Sequence, residues 1–155
     1  MKVLAENRKA KFEYEILEKF EAGLVLLGQE VKSIKTGRIS IKGSYVVLRQ
    51  SAKGVLPEVY LVGANIPPYQ PKNTPKDYEP ERSRKLLLTK SEIKHLIGKT
   101  KEKGLTLIPL RVYTKRGKIK LEFGIAKGRK KADKRELIKK REAERELKRE
   151  LKSRG

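Results

Sequence analysis

The chain has 155 residues and a formal net charge of +21, a length that fits one domain with an appendage. It contains no cysteine and one histidine, which excludes a disulfide framework, a cysteine nucleophile and a structural zinc site. The sequence shows no long apolar run, secretory signal or tryptophan, so we expect a cytoplasmic protein whose basic charge serves nucleic acid rather than a membrane. The 38% content of charged residues is typical of thermophilic proteins.

The first forty residues combine a predicted strand with a predicted helix. Phe12, Tyr14 and Ile16 alternate with charged residues, which predicts a half-buried strand that ends near residue 21. Apolar residues three and four apart then predict an amphipathic helix over 28–36, with Gly37 as its left-handed stop.

The middle of the chain predicts a strand pair, a loop and a second helix. Residues 44–50 and 58–63 are largely apolar and predict two paired strands. Residues 64–82 hold five of the seven prolines, which predicts an extended surface loop. Thr89 followed by Glu92 is a capping box, and it predicts a helix that begins there.

Two further strands complete the predicted body. Residues 105–114 predict a strand with Pro109 at an edge or a bulge. Residues 118–126 alternate cleanly between apolar and charged side chains, and Gly124 among them indicates a bulge or a close strand crossing. The predicted fold class is therefore mainly β: residues 1–125 form a small antiparallel β-barrel, with an OB-like barrel as the natural candidate, flanked by two or three helices.

Residues 126–155 form a basic tail with 14 Lys and Arg against 6 Asp and Glu. Their few apolar residues cannot bury a core, so we expect the tail to be disordered when free. Yet it is rich in helix formers, and acidic residues precede basic ones at i,i+4 spacing, as in Glu136 with Lys140. It is therefore predicted to become helical on a polyanion. The alternative is a solvated tail that adds only solubility.

The sequence offers little for catalysis. The only histidine, His95, lies on a predicted helix and is expected to be an ordinary surface residue. No glycine-rich phosphate loop is present, and the carboxylates are scattered among lysines, so no catalytic pair can be chosen. We expect neither an enzyme nor a cofactor.

The basic residues of the body cluster near the amino terminus, around the first helix and before the LLL run at 86–88. Arginines in such clusters favour phosphate and base contacts. Tyr14, Tyr45, Tyr60 and Tyr113 fall in predicted strands and are expected in the core rather than as stacking platforms. Recognition of folded RNA by shape and backbone therefore fits better than generic single-strand binding.

An ordered set of motifs covers nearly the whole chain. The stretches are NRKAKFEYEILEKFEAGLVLLGQEVKSIKTG, SYVVL, GANIPPY, YEPERSRKLLLTKSEI, VYTKRGKIKLEFGIAKG and GRKKADKRELIKKRE. In this order they resemble the SsrA-binding protein (small protein B) family. The resemblance implies an OB-type barrel that binds the tRNA-like domain of transfer-messenger RNA. It further implies a tail that enters the mRNA-free decoding region of a stalled ribosome and becomes helical during rescue by trans-translation. Neither catalysis nor a small-molecule ligand is implied.

The charge clusters and the resemblance together give two sets of expected contact residues. Asn7, Glu21 and Leu87 match family positions tied to RNA binding, although by sequence alone Glu21 could cap a helix and Leu87 could be core. Ala132 stands where the family often has His or Tyr, which puts stacking at that point in doubt. The expected RNA contacts are Asn7, Arg8, Lys9, Glu21, Lys32, Lys35, Arg38, Arg82, Arg84, Lys85 and Leu87. The expected ribosome contacts of the tail are Lys127, Arg129, Lys130, Lys131, Asp133, Lys134 and Arg135.

Two other functions are compatible with the residues. One is a ribosomal or tRNA-binding OB-fold protein without a role in rescue. The other is an RNA-processing enzyme with an unrecognised site. Loss of ribosomal function on removal of the tail separates the first from the rescue adaptor, and cleavage of RNA in the presence of a divalent metal would favour the second.

Overall fold

The computed structural model describes residues 1–154, without the side chains of Lys131, Ala132 and Arg154. This range contains seven strands, four α-helices and a 3-10 turn at Pro71–Asn73. The strands are β1 (Lys2–Glu6), β2 (Tyr14–Leu24), β3 (Tyr45–Arg49), β4 (Glu58–Val62), β5 (Arg84–Leu87), β6 (Leu105–Lys115) and β7 (Lys118–Gly128). The helices are α1 (Arg8–Glu13), α2 (Gly28–Lys35), α3 (Lys90–Thr100) and α4 (Lys131–Arg154).

All seven strands form one antiparallel sheet in the order β1-β6-β7-β2-β5-β4-β3. The predicted closed barrel is wrong, because β3 packs against β6 without forming a hydrogen-bonded ladder with it. Strand β1, which we did not predict from the sequence, pairs with β6 from Arg111 to Thr114 and so occupies part of the edge that closure would have used. The fold is a mixed α/β structure around a strongly curved sheet.

The core lies between the inner face of the sheet and helices α2 and α3. The predicted alternation of β7 is confirmed, since Leu121 and Phe123 are fully buried while Lys118 is exposed. Helix α2 contributes Ile34 and helix α3 contributes Leu96, and both side chains are completely buried. Each helix thus places one apolar stripe on the sheet, and the lysines of both helices remain at the surface.

The end of helix α2 and the start of helix α3 agree with the prediction. Gly37 adopts a left-handed conformation at φ 80° directly after α2. At the start of α3 the Thr89 Oγ1 accepts from the Glu92 amide at 3.2 Å, and the Glu92 carboxylate accepts from the Thr89 amide at 3.0 Å. The two orphan amides of the first turn are thereby satisfied reciprocally.

Two irregularities of the long strands also confirm their predicted positions. The register of β6 against β7 shifts between Pro109 and Arg111, so Pro109 lies at a bulge. A Cβ atom at Gly124 would lie 2.8 Å from Cγ2 of Ile16 and 2.9 Å from the carbonyl oxygen of Glu18. Only glycine therefore permits the close crossing of β7 and β2.

Three short segments were misread or missed in the sequence. Phe12 belongs to α1 rather than to a strand, and β2 begins at Tyr14 and continues to Leu24. The strand does not end at residue 21, because Gly23 still pairs with Lys120. Strand β5 was not predicted, because its four residues, RKLL, are too few to show either the helical or the strand period of apolar residues.

The tail is helical without a partner, contrary to the expectation of disorder. Helix α4 spans 24 residues with neither proline nor glycine. The first half of the helix contacts the body, because the guanidinium group of Arg141 lies 5.9 Å from the ring centroid of Phe12 in α1. Beyond that contact the helix is exposed, as Leu147 and Leu151 retain 59% and 63% of their accessible surface. The strong helix propensities outweigh the repulsion among its basic side chains.

A buried carboxylate holds one end of the molecule together. Glu30 in α2 and Arg84 in β5 are both completely inaccessible, and Nε and Nη2 of Arg84 donate to Glu30 Oε2 at 2.9 and 2.6 Å. The other oxygen of Glu30 accepts from the Leu27 amide at 2.9 Å and from Arg82. The Tyr78 hydroxyl of the proline-rich loop donates to the carbonyl of Ile66 at 2.7 Å, and its oxygen lies 3.2 Å from Glu30 Oε2. The loop at 64–82 is thus ordered on this carboxylate.

The electrostatics of Glu30 follow from these donors. Burial by itself raises the pKa of the Glu30 carboxyl, but the bonds from the Leu27 amide, Arg82 and Arg84 outweigh burial and hold the pKa below its ordinary value. Because the pKa is lower in the folded than in the unfolded chain, Glu30 stabilises the fold above about pH 4.5. That contribution is lost as the pH falls through the folded pKa.

We predict that Glu30→Gln lowers the free energy of unfolding by about 3–5 kcal/mol at neutral pH, because it leaves the buried Arg84 without its counter-charge. The difference from the parent protein should shrink as the pH falls through the lowered pKa of Glu30, because the carboxylate of the parent then becomes protonated. Urea unfolding followed by circular dichroism over a series of pH values, from neutral into the acid range, measures this. Glu81→Gln is the matched control, because it alters an exposed carboxylate three residues before Arg84. An unchanged midpoint in Glu30→Gln would contradict the role assigned to the pair.

Candidate nucleic-acid interface

Two of the residues predicted to bind RNA meet on the outer face of the sheet. Gly23 pairs with Leu87 on one side and with Lys120 on the other. Glu21 lies two residues before Gly23 and therefore on the same face. Lys118, at the start of β7 and two residues before Lys120, also lies on this face. We call the patch formed by these five residues the Leu87 surface.

Leu87 is the apolar centre of this surface. Its side chain is 54% exposed, whereas Leu86 beside it is buried, as expected for neighbours on a strand. The absence of a side chain at Gly23 leaves room around it, since a Cβ there would lie 3.4 Å from the Leu87 Cβ. The resulting depression has a volume of about 330 Å³. A leucine floor with a rim of lysines can accept a base with its flanking phosphates.

The turn between β6 and β7 supplies the rim. Arg116 and Gly117 both have positive φ, at 53° and 77°, as a two-residue type I′ hairpin turn requires. The turn brings Lys115 and Lys118 into register as a pair. The tip of the hairpin thus carries three basic side chains, Lys115, Arg116 and Lys118, of which Lys118 lines the depression with Leu87. We predicted no contact role for this tip from the sequence, although the outward alternation of the β7 lysines was the signal that could have found it.

Glu21 is the one acidic group at this surface, and its partners fix it there. The Tyr113 hydroxyl donates to its carboxylate, and Lys115 Nζ lies 3.4 Å away. The bond from Tyr113 lowers the pKa of Glu21, burial works in the opposite direction, and Lys115 and Lys120 lower it further, so the pKa lies below its ordinary value. Burial and the bond to Glu21 raise the pKa of Tyr113. Glu21 is therefore an ionised acceptor on a basic surface.

The predicted residues at the amino terminus lie farther along the same sheet. The rungs Glu6–Arg111, Arg111–Glu122 and Glu122–Glu21 connect β1 to β2. Three strand spacings of about 4.8 Å place Asn7 roughly 15 Å from Glu21. The Asn7 amide group donates to the carbonyl of Pro109 at 3.0 Å, which fixes the junction of β1 and α1. Arg8 and Lys9 follow it and are exposed.

The basic residues around α2 are exposed and lie near Tyr69 of the proline-rich loop. Lys32 Nζ is 6.0 Å from the Tyr69 ring centroid, and Arg38 Nη1 donates to the Tyr69 carbonyl at 3.3 Å. Lys35 is exposed on the same helix. These side chains form a second basic patch that remains a predicted contact.

The cluster of Arg82, Arg84 and Lys85 is divided by the fold. Arg84 has no accessible surface, so the expectation that it contacts RNA is wrong; its guanidinium serves the buried Glu30 instead. Arg82 also binds Glu30, with 32% of its side chain exposed. Lys85 lies on the outer face two residues before Leu87, where it is 3.5 Å from Glu58. A charge-rich sequence gave no sign that one arginine would be internal.

The tail residues leave the body at the end of α1. Strand β7 continues to Gly128, and Ala126 is fully buried within the body. The Arg129 amide donates to the Glu13 carbonyl at 2.9 Å, and its Nε donates to the Tyr14 carbonyl at 3.2 Å. Arg129 therefore anchors the helix that follows. Lys127, Lys130, Asp133 and Arg135 are exposed and Lys134 is half-buried, while the side chain of Lys131 lies outside the described residues.

Groups suited to catalysis are not brought together in the part of the chain that the structure describes. His95 forms an exposed pair with Glu18 at 2.6 Å. No group of His, Cys, Asp and Glu side chains within this part could hold a metal ion. No helix among residues 1–154 is long and apolar enough to cross a membrane.

The tyrosines expected in the core are split between interior and surface. Tyr113 retains only 2% of its accessible surface, but Tyr45 retains 47%, so the expectation is wrong for Tyr45. Tyr45 begins strand β3, the edge strand of the sheet, which has a hydrogen-bonded neighbour on one side only.

Comparison with known proteins identifies the family. The family model described as SmpB protein matches residues 4–153. The chain belongs to the SmpB family. A protein of Thermosynechococcus vestitus named SsrA-binding protein is 46% identical over 154 residues, which cover 99% of this chain and 97% of that protein. One of Magnetococcus marinus with the same name is 51% identical over 98% of this chain and 97% of that protein.

A solved structure extends the relationship to three dimensions. It is described as "tmRNA-SmpB: a journey to the center of the bacterial ribosome", and one of its chains is 42% identical to this one with a TM-score of 0.62. The likeness covers 86% of this chain and 92% of that chain. The sequence resemblance to the SmpB family is thus confirmed over nearly the whole length.

We predict that Tyr113→Phe raises the pKa of Glu21 in this SmpB-family chain, because it removes the hydrogen bond that contributes most to lowering it. Carbon-detected NMR titration of the glutamate carboxyl groups measures the change. Tyr60→Phe is a matched control, since the Tyr60 hydroxyl donates to Glu58 and lowers the pKa of that carboxyl instead. The control should move Glu58 and leave Glu21 unchanged. An unaltered Glu21 in Tyr113→Phe would contradict the assigned network.

Proposed function

We propose that the chain is a non-catalytic RNA-binding adaptor that binds the tRNA-like domain of transfer-messenger RNA. It delivers this RNA to stalled ribosomes for rescue by trans-translation, in the cytoplasm. The observation that carries the proposal is membership of the SmpB family across residues 4–153, together with its likeness to a chain of the tmRNA–SmpB structure. The curved sheet, the basic hairpin tip and the exposed helix α4 suit such an adaptor.

Within this function we assign the Leu87 surface to the folded RNA. The Leu87 side chain offers an apolar floor for an unpaired base, and Lys118 and Lys120 offer cations for its phosphates. Glu21, held ionised by Tyr113, can accept a hydrogen bond from a base amino group. Lys85, Arg8 and Asn7 extend the contact along the same sheet. The patch of Lys32, Lys35 and Arg38 adds a further approach for phosphates.

We assign the tail to the mRNA-free decoding region of the ribosome. Helix α4 extends from the body with the basic residues from Arg135 to Lys152 exposed, and a length of about 36 Å follows from its 24 residues. The proposed phosphate contacts of the tail are Lys127, Lys130, Lys131, Lys134 and Arg135. Asp133, the acidic residue between them, is the remaining proposed ribosome contact. Arg129 acts at the root by fixing the helix to α1. The proposed division thus runs between a body over residues 1–125 and a tail over 126–155, with β7 reaching across it to Gly128.

We predict that truncation after Lys130, which keeps β7 and the Arg129 anchor, preserves binding to the tRNA-like domain but abolishes tagging of incomplete peptides on stalled ribosomes. Fluorescence polarisation with the isolated tRNA-like domain measures the first, and a reconstituted tagging reaction measures the second. A truncated chain that still supports tagging would show that the tail is dispensable, and the assignment of the tail to the decoding region would then be wrong. If RNA binding disappears with the tail, the assignment to the Leu87 surface is wrong.

We predict that binding to the tRNA-like domain weakens steeply with salt, since each phosphate contact contributes about 0.7–0.9 to the log–log slope. Lys118→Ala combined with Lys120→Ala should therefore reduce the slope by about 1.4–1.8. Lys53→Ala combined with Lys72→Ala removes the same charge from two exposed loops and is the matched control. Equal slopes for the two double variants would show that the hairpin lysines do not contact phosphate.

A further inference from the structure

A groove runs between helix α1 and the free edge of β3, where the sheet does not close. Its volume is about 480 Å³. Ala10 and Ile108 form an apolar floor and are both buried. Lys9 stands on the α1 wall, and Lys42 and Tyr45 stand on the opposite wall. We call this feature the Tyr45 groove.

The surroundings of Tyr45 differ from those of Tyr60 and Tyr113. The Tyr60 ring is covered by Arg49 at 4.9 Å and the Tyr113 ring by Arg111 at 5.1 Å, and both hydroxyl groups donate to glutamates. Within residues 1–154, Tyr45 has neither a cation over its ring nor a hydrogen bond from its hydroxyl. An aromatic side chain that is 47% exposed at the mouth of a groove is a ready stacking platform.

The charges around the groove favour an anionic ligand. Lys9 and Lys42 are exposed on opposite walls, and Glu13 is the one carboxylate among the lining residues. The left-handed Gly43, at φ 74°, turns the chain between Lys42 and strand β3. Cations on both walls of a groove that also presents an aromatic ring offer partners for the phosphates and for the base of a nucleotide.

We propose that the Tyr45 groove binds an unpaired nucleotide of single-stranded RNA, with the base stacked on Tyr45 and the flanking phosphates held by Lys9 and Lys42. The inference rests on the proposed RNA-binding function and adds a site to it. An extended peptide could instead pair with the edge of β3. The lysines on both walls and the net charge of +21 favour the polyanion.

The groove is separate from the Leu87 surface. Tyr45 pairs with Val62 of β4, whereas Leu86 pairs with Val59, so Leu87 and Tyr45 are two strands and four residues apart. These offsets correspond to roughly 16 Å along the sheet. Both sites can therefore be occupied at once by different RNA segments, which is how a single chain can bridge two RNA partners.

The first test is a photochemical cross-link. The full chain is mixed with an eight-nucleotide oligouridine that carries 4-thiouridine, irradiated, digested and analysed by mass spectrometry. We expect the modified peptide to contain Tyr45. Cross-links confined to the Leu87 surface or to the tail would overturn the proposal.

The second test measures the affinity of variants for the same oligouridine. Tyr45→Ala should weaken binding about 5- to 150-fold, since stacking of a base contributes about 1–3 kcal/mol. Tyr45→Phe keeps the ring and should bind as the parent does. Lys42→Glu should bind more weakly and lose about 0.7 or more from the salt slope. Since Tyr45 and Lys42 are both exposed, thermal unfolding should be unaltered in the variants, and Lys42→Glu keeps the test decisive if Tyr45→Ala fails to fold.

The outcomes separate this inference from the proposed function. If the parent chain binds the tRNA-like domain while Tyr45→Ala and Lys42→Glu retain full affinity for oligouridine, the groove is not an RNA site and the proposed function stands. If the parent chain does not bind the tRNA-like domain, the proposed function is wrong whatever the groove binds. Protection of the β3 edge by a peptide in place of RNA would also overturn the inference.

Discussion

The buried pair of Glu30 and Arg84 is the interaction on which the rest of the structure depends. A fully buried carboxylate is tolerated only when donors surround it, and Glu30 receives them from the start of α2, from β5 and from the proline-rich loop. Three segments that are distant in sequence are thereby held in one arrangement. Because Arg84 must point inward, alternation along β5 turns Lys85 and Leu87 outward. The surface proposed to bind RNA is thus set by an ion pair that RNA never touches.

Local signals in the sequence were sufficient for several elements. The stop of α2 at Gly37, the capping of α3 by Thr89 and the alternation of β7 each depend on residues within one or two turns or strand repeats of one another. Gly124 could also be read, because a glycine inside a clean strand pattern indicates close approach of another backbone. In each case the physical cause lies within the segment, so the sequence of that segment contains the information.

Other features depend on partners far along the chain and could not be read from local pattern. Glu30 and Arg84 are 54 residues apart, and an arginine among charged neighbours has the composition of a surface residue. The pairing of β1 with β6 joins segments over a hundred residues apart. The proximity of Leu87 to Glu21 likewise follows from the pairing of Gly23 with Leu87. The family resemblance supplied Leu87 and Glu21 as candidates. The alternation of β7 places its lysines outward, but only the pairing of β7, β2 and β5 places them near Leu87.

The tail can be an ordered helix and still be free to bind a partner. A helix of 24 residues with strong helix formers needs little tertiary packing, and its basic side chains gain nothing from a body that is itself positively charged. What it requires is a fixed starting direction, and Arg129 provides it through its two bonds to the end of α1. Helix α1 in turn forms one wall of the Tyr45 groove. The groove and the anchor of the tail therefore meet at the end of this short helix, because Glu13 and Tyr14 line the groove and their carbonyl groups accept the bonds from Arg129.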